Sequence, residues 1–351
     1  MPGAKYRVQS STLKSGRIRY TIVKDIQIGD RKSKVKVSFT SEEPLQGTEL
    51  DTQIYSHAYE LENKSAKKKA ELSAQRYSTI FTPDELVPQI ELIKYLYERM
   101  TQLFTVNELE VYEHDFEMNY IQGTTSIEGN TLTVREVNDL LKYDRLPKEK
   151  AIREINEVQN FKNVKIYREN YKGKVTLRFI RKLHALIMNN IDDESAGTFR
   201  RVDSVGIQGC DLVLCPSELI EEELQKSISE YYESLEQGRY PFESAIWFHY
   251  KFETIHPFSD GNGRVGREIL NFMLVKEKYP KLLFLGKDRE FYLDALRLGN
   301  ENHYGEMIHA FATLFIKQMD KLVNDYMKKI VIPPKKEGQL RLNHFDISGD
   351  D

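Results

Sequence analysis

His256-Pro257-Phe258-Ser259-Asp260-Gly261-Asn262-Gly263-Arg264-Val265-Gly266-Arg267 lies between two apolar-periodic stretches, Phe242 to Ile255 and Glu268 to Tyr279. Both flanks read as helices, so this run is the loop that joins them and the opening of the second. Pro257 disfavours helix at His256 and carries no backbone donor, which ends the first helix there and leaves the imidazole at the loop mouth. Gly261 and Gly263 permit backbone angles closed to other residues, so successive N–H groups can turn inward as an anion-binding nest at a helix start. Gly261-x-Gly263-x-x-Gly266 also matches the bare dinucleotide fingerprint, but that pattern must follow a strand. Here Trp247 to Glu253 reads as an aromatic-rich helix.

Each side chain of the run suits one task at a polyphosphate. Arg264 and Arg267, three positions apart, lie on neighbouring turns where both guanidinium forks can reach phosphate oxygens. Asp260 supplies a carboxylate for a magnesium ion that also bridges substrate phosphates. His256, with an ordinary pKa of roughly 6.5, can accept a proton from an attacking hydroxyl at neutral pH. Taken singly, each has an ordinary structural explanation: a helix terminus, a turn, a solvated helix face. A plain connector has no reason to assemble all of them in this order.

The rest of the chain sets the frame. Its 351 residues exceed the roughly 100–200 of a typical domain, which predicts one large domain with an appendage, or two domains. Hydrophobic residues make up 40% and charged residues 30%, with a net charge of −3, so no overall field favours polyanions. No apolar run approaches the roughly 20 residues that span a bilayer, and the N-terminus lacks a secretory stretch, so a cytoplasmic protein is expected. The two cysteines, Cys210 and Cys215, are too few for a zinc cluster and read as spectator thiols.

Residues 5–40 alternate apolar and polar positions, with Ser15-Gly16 and Gly29-Asp30 as turn signals, and predict a small antiparallel sheet. Its lysines and arginines read as a solvated strand face rather than a nucleic-acid contact. Helical patterning begins near residue 50. Thr82-Pro83-Asp84-Glu85 reads as a helix start, and most of the remaining chain reads as helices. The exception is Val202 to Leu214, β-branched and glycine-containing, which predicts a β-hairpin; helix returns at Ser217, a candidate cap. The expected architecture is mainly α, with residues 1–80 a β-rich and helical appendage, 81–330 the core, and 331–351 a tail.

The run from His256 to Arg267 matches the signature of the Fic family, HPFxDGNGRxxR, at every defined position. Resemblance extends over roughly residues 85–330, through the Leu183-His184 helix, Gly197-Thr198-Phe199-Arg200 and the Phe291 to Asn300 segment; residues 1–80 resemble nothing recognised. The resemblance implies a Fic-type helical bundle and a protein adenylyltransferase with ATP as substrate and Mg2+ as cofactor. His256 would deprotonate a target Tyr, Thr or Ser, whose oxygen attacks the α-phosphate and expels pyrophosphate. Asp260 would hold the magnesium. Gly261, Asn262, Gly263 and Arg264 would cradle the α- and β-phosphates, Arg267 the γ-phosphate, and Asn300 would contact the nucleoside. The hairpin, from about Val205 to Leu214, resembles the family flap that pins an unidentified target protein as an added strand.

Upstream, Thr124-Thr125-Ser126-Ile127-Glu128-Gly129-Asn130 matches the family's inhibitory pattern, a Ser or Thr followed four residues later by Glu and then Gly or Asn. A helix over about 108–128 is expected, with Glu128 in its last turn, where the macrodipole disfavours a negative charge. The resemblance names Arg267 as the compensating partner, so that Glu128 would act as a brake by taking the cation meant for the γ-phosphate. In some relatives the same glutamate is linked to removal of AMP, so the reverse reaction stays open. So do self-modification, a homodimer, transfer of another nucleotide such as UMP, and a silent nucleotide-binding module. Retention of both His256 and Asp260 counts against the last. Membrane and nucleic-acid partners are not expected.

Overall fold

In the computed structural model, which describes residues 6–203 and 214–331, the alternation over residues 5–40 becomes three antiparallel strands, β1 (Arg7–Thr12), β2 (Ile18–Ile28) and β3 (Arg31–Ser41), in the order β1-β2-β3. Gly29 and Asp30 form the turn between the last two, as their sequence predicts. Tyr20 pairs with Phe39, Ile22 with Val37 and Lys24 with Val35, which places the apolar set on one face. Lys32, Lys34 and Lys36 are exposed on β3, an edge strand on which lysines discourage pairing with another sheet.

The chain divides into two compact units. Among the described residues the first holds 6–78, 83–111 and 314–331, with α1 (Gly47–Ser56), α2 (Ala58–Ala74) and α3 (Val87–Leu103). Ile22, Ile26, Val35, Val37, Ile54 and Leu61 form its core. Lys24 interrupts the apolar face of β2 and is met by the buried Glu62 of α2 at 2.7 Å, which also pairs with Arg99 of α3 at 3.1 Å. The helix expected to start at Pro83 begins at Val87, after a turn. The hydroxyl of Thr82 is used elsewhere: it donates to Glu243, which also accepts the backbone N–H groups of Ile80, Phe81 and Thr82.

The second unit, 79–82 and 112–313, is helical: α4 (Val106–Ser126), α5 (Val134–Tyr143), α6 (Ile152–Asn170), α7 (Leu177–Ile187), α8 (Ile220–Glu236), α9 (Pro241–Ile255), α10 (Asn262–Lys276), α11 (Arg289–Asn300) and α12 (Tyr304–Val331). The unit boundaries fall within α4 and α12. Thr133 and Glu136 close a capping box at α5, and the Thr176 side chain caps α7. Ser217 does not cap α8; it opens a short 3-10 turn, its N–H donating to Asp203, and Leu219 takes the cap position. α9 and α10 are buried on nearly every side by Phe242, Ile246, Phe252, Val265, Ile269 and Met273, which makes them the frame on which the connecting loop is fixed. The hairpin expected over 202–215 falls largely on residues 204–213, and Cys210 and the tail beyond Val331 likewise lie outside the described residues.

Candidate active site

α9 ends at Ile255, and His256, just before the proline, closes it in the left-handed region at φ +49. That conformation carries a steric cost for any residue with a side chain, and Arg200 holds it in place. Its guanidinium donates to the carbonyls of His256 at 2.9 Å and Ile255 at 3.3 Å, while its own N–H donates to Pro257 O at 2.9 Å. A buried cation at the negative end of the helix also suits the dipole. Asn262 fixes the other side of the loop, since its side chain accepts from Phe258 N at 2.9 Å and donates to Phe258 O at 2.8 Å. The Phe258 ring stacks on His184 with centroids 3.7 Å apart. His184 accepts from Gly197 N–H through Nδ1 and donates to Asp260 O through Nε2; burial drives its pKa down to about 4, so it serves as a neutral pillar.

The ring nitrogens of His256 take the opposite roles. Nδ1 faces the carbonyl of Glu253 at 3.3 Å, which leaves Nε2 to accept a proton. Burial holds the imidazole below its ordinary pKa, against the opposing pull of that carbonyl. The ring is therefore neutral at pH 7, the state a general base requires.

Gly261, at φ +77, caps α10, and the first amides of that helix have no intrahelical acceptor. They form the donor set of an anion site. Asp260 sits beside it. Its Oδ1 accepts from Gly261 N at 2.5 Å and Arg264 Nη2 at 3.2 Å, and its Oδ2 from Arg153 of α6. Burial opposes its charge, but these donors hold the carboxyl below the usual range. Arg264 is 1% exposed and also lies 3.2 Å from Glu157 of α6. The arginines of the signature are thus buried ligands of the fold, unlike the solvated face that their spacing alone allows.

Arg267, fully buried, donates from Nε to Thr124 Oγ1 at 2.9 Å and from Nη2 to both Thr124 O, at 2.9 Å, and Glu128 Oε1, at 2.7 Å. Thr124 and Glu128 therefore meet the one arginine to which the inhibitory pattern pointed. α4 ends at Ser126, slightly earlier than expected, and Glu128 lies in the turn after it. Burial works against its charge, yet Arg267 outweighs it and lowers its pKa. A β-carbon on Gly263 would stand 2.4 Å from Glu128 Oε1 and 2.8 Å from Arg267 Nη1, so the second loop glycine makes room for this ion pair.

A cavity of about 410 Å³ opens over this pair, lined by His256, Gly263, Glu128 and Arg267 and, from α11, by Tyr292 and Asn300. Its size suits a small molecule. Asn300 thus shares a wall with the other site residues, whereas Asn262 and Arg264 are buried and shape the loop. Four contributors escaped sequence reasoning: Arg153, Glu157, Glu253 and the capping role of Arg200. Glu253 carried a signal, one turn before His256 on the same helix. Arg153 and Glu157 lie about a hundred residues away, beyond the reach of spacing.

Residues 174–274 match the Fic/DOC family. The chain is 27% identical over 214 residues to the protein adenylyltransferase Fic of Culex quinquefasciatus, a match covering 59% of this chain and 42% of that protein. It thus spans about two-fifths of the length of this curated relative. Among solved structures, a Fic family protein from Desulfovibrio desulfuricans superposes with a TM-score of 0.52 at 27% identity, over 70% of this chain and 73% of that one. Fic-1 from C. elegans shares the fold at TM-score 0.56 and 20% identity, over 79% of this chain and 92% of that one.

Proposed function

We propose, from the premise that residues 174–274 are a Fic/DOC domain, that this protein transfers AMP from ATP to a hydroxyl side chain of a target protein and is held inactive by its own Glu128. The name of the curated relatives supports the reaction. Support for the geometry comes from His256, whose Nδ1 faces the Glu253 carbonyl and so leaves Nε2 as the acceptor, beside a helix start in one cavity with Arg267. His256 takes the proton of the target hydroxyl, and the resulting oxygen attacks the α-phosphate, with pyrophosphate leaving. The amides opening α10 and the Arg264 and Arg267 guanidinium groups stabilise charge on the phosphates. Asn300 reaches the nucleoside. A target segment docks along Val205 to Leu214.

Asp260 fits a magnesium ion: it is an ionised hard-oxygen donor at the nest, and that ion is commonly held by one or two carboxylates together with substrate phosphates. When bound it would neutralise phosphate charge.

The single observation behind the brake is the 2.7 Å ion pair between Arg267 and Glu128. While it persists, Arg267 is committed and the γ-phosphate lacks its cation. The test is incubation of the wild type, Glu128→Gly and Glu128→Gly/His256→Ala with magnesium and α-labelled ATP, with and without cell lysate, followed by gel and intact mass. Protein-bound AMP should be strongest in Glu128→Gly and absent from the double variant. Equal labelling of wild type and Glu128→Gly would remove the brake, and no label in any chain would remove the transferase.

A further inference from the structure

Asp260 has two carboxylate oxygens, and both are occupied by groups of the chain. Oδ1 belongs to the loop itself, through Gly261 N–H and Arg264. Oδ2 is taken by Arg153, which stands in the first turn of α6, 107 residues away in sequence. The two arginines differ in freedom. Arg264 is 1% exposed and lodged between Asp260 and Glu157. The Arg153 side chain is 56% exposed and can move without uncovering any core.

Arg153 also has somewhere to go. Its Nε is 3.3 Å from Glu157 Oε1, one helical turn along α6. Glu157 is buried and faces Arg264, and its other oxygen accepts from Asn130 Nδ2 at 2.9 Å. Asn130 comes two residues after Glu128. One arginine head therefore lies between two acids, Asp260 at the phosphate nest and Glu157 behind it, and a move from one to the other keeps an ion pair at each stage.

We infer that Arg153 is a resident cation that competes with magnesium for Asp260 and swings onto Glu157 when the magnesium–nucleotide complex binds. The inference rests on the reading of Asp260 as the metal carboxylate. A guanidinium on Oδ2 and a divalent ion held by the same carboxylate would repel one another and compete for its negative charge, so each weakens the other. Because the pair is half exposed, its strength is modest. The competition sets how much magnesium the site needs rather than acting as an on–off gate. It is distinct from the Glu128 brake, which withholds a cation from the nucleotide, whereas Arg153 withholds an anion from the metal.

The experiment measures binding of a fluorescent ATP analogue to Glu128→Gly protein across a magnesium titration and in excess EDTA, with Arg153→Gln and Asp260→Asn added separately; thermal melts confirm folding. Arg153→Gln should lower the half-effective magnesium concentration roughly two- to fivefold and leave affinity in EDTA unchanged. An unchanged or higher half-point would overturn the inference. So would weaker binding in EDTA, which would make Arg153 a phosphate ligand instead. Asp260→Asn separates the two readings: if it keeps the full magnesium effect, the metal role of Asp260 fails. If it loses the effect while Arg153→Gln changes nothing, only the competition fails. Absence of binding in every chain would overturn the nucleotide reading and this inference with it.

Discussion

Arg267 Nε donates to Thr124 Oγ1 at 2.9 Å, so the segment from Thr124 to Glu128 holds the signature arginine by an uncharged group as well as by its carboxylate. Thr124 and Arg267 are both fully buried, and a guanidinium N–H deprived of its acceptor there has no water to replace it. Thr124→Val keeps the shape and removes the acceptor. It should destabilise the protein by about 1.5–3 kcal/mol in urea unfolding, and AMP transfer should fall between that of wild type and Glu128→Gly. Activity equal to wild type would show that the threonine positions nothing.

Removing Glu128 itself should do more. A coupling of ordinary allosteric size corresponds to roughly 5- to 150-fold, so Glu128→Gly should increase AMP transfer within that range, read from initial rates of label incorporation.

With His256 as the proposed base, the pH profile of transfer should follow its imidazole. Its pKa is lowered by burial, so the neutral, proton-accepting form persists below the ordinary imidazole range. Measured in Glu128→Gly, the rate should be flat around pH 7 and fall on the acid side only below about 6.5. A half-maximal point above that value would contradict a buried neutral base.

Glu253 gives a stability prediction of opposite sign to the usual carboxylate. It is buried, and its Oε1 lies 3.9 Å from His249 Nδ1. Burial pushes its pKa up to about 8, against the pull of Arg267 and with a small push from Glu128. A folded pKa above the unfolded one means the native state holds a proton that the unfolded chain releases. Stability is then fully present below the unfolded pKa and is lost as pH rises towards 8. Glu253→Gln should suppress that loss, gaining on the order of 3 kcal/mol relative to wild type between pH 5 and pH 8. Chemical denaturation at the two pH values checks it; a constant difference would mean that Glu253 is ionised throughout.

Arg200 has a structural test with a catalytic readout. Arg200→Met removes the donor to the His256 and Ile255 carbonyls and should cost about 1–3 kcal/mol, as for buried acceptors left without a donor. At a temperature where the variant is folded, kcat in the Glu128→Gly background should fall while KM for ATP changes little, since the base is misplaced and Arg267 is not.

How far the sequence could be read depended on distance along the chain. The loop from His256 to Arg267 was legible because its residues are contiguous and each has a separate chemical reason to be there. β2 and β3 were legible because a two-residue period and a Gly-Asp turn fix register locally. The contact of Thr124 and Glu128 with Arg267 spans about 140 positions and could be anticipated only through resemblance. Arg153, Glu157 and the carbonyls held by Arg200 had no such guide: a surface-looking arginine on a charged helix gives no sign of which carboxylate it will meet. Thr82 and Ser217 misled because a capping residue type shows only that a cap can form there. Thr82 was claimed by Glu243, and Ser217 by a turn that delays the helix.

Asn262 closes its amide around both backbone atoms of Phe258, which governs how the site exchanges heat with its surroundings. A loop already locked from within has little backbone left to order when an anion arrives, so the entropy of assembly was spent during folding. Calorimetric titration with nucleotide should accordingly show a small heat-capacity change, set by the apolar surface that α11 covers and not by coupled folding of the loop.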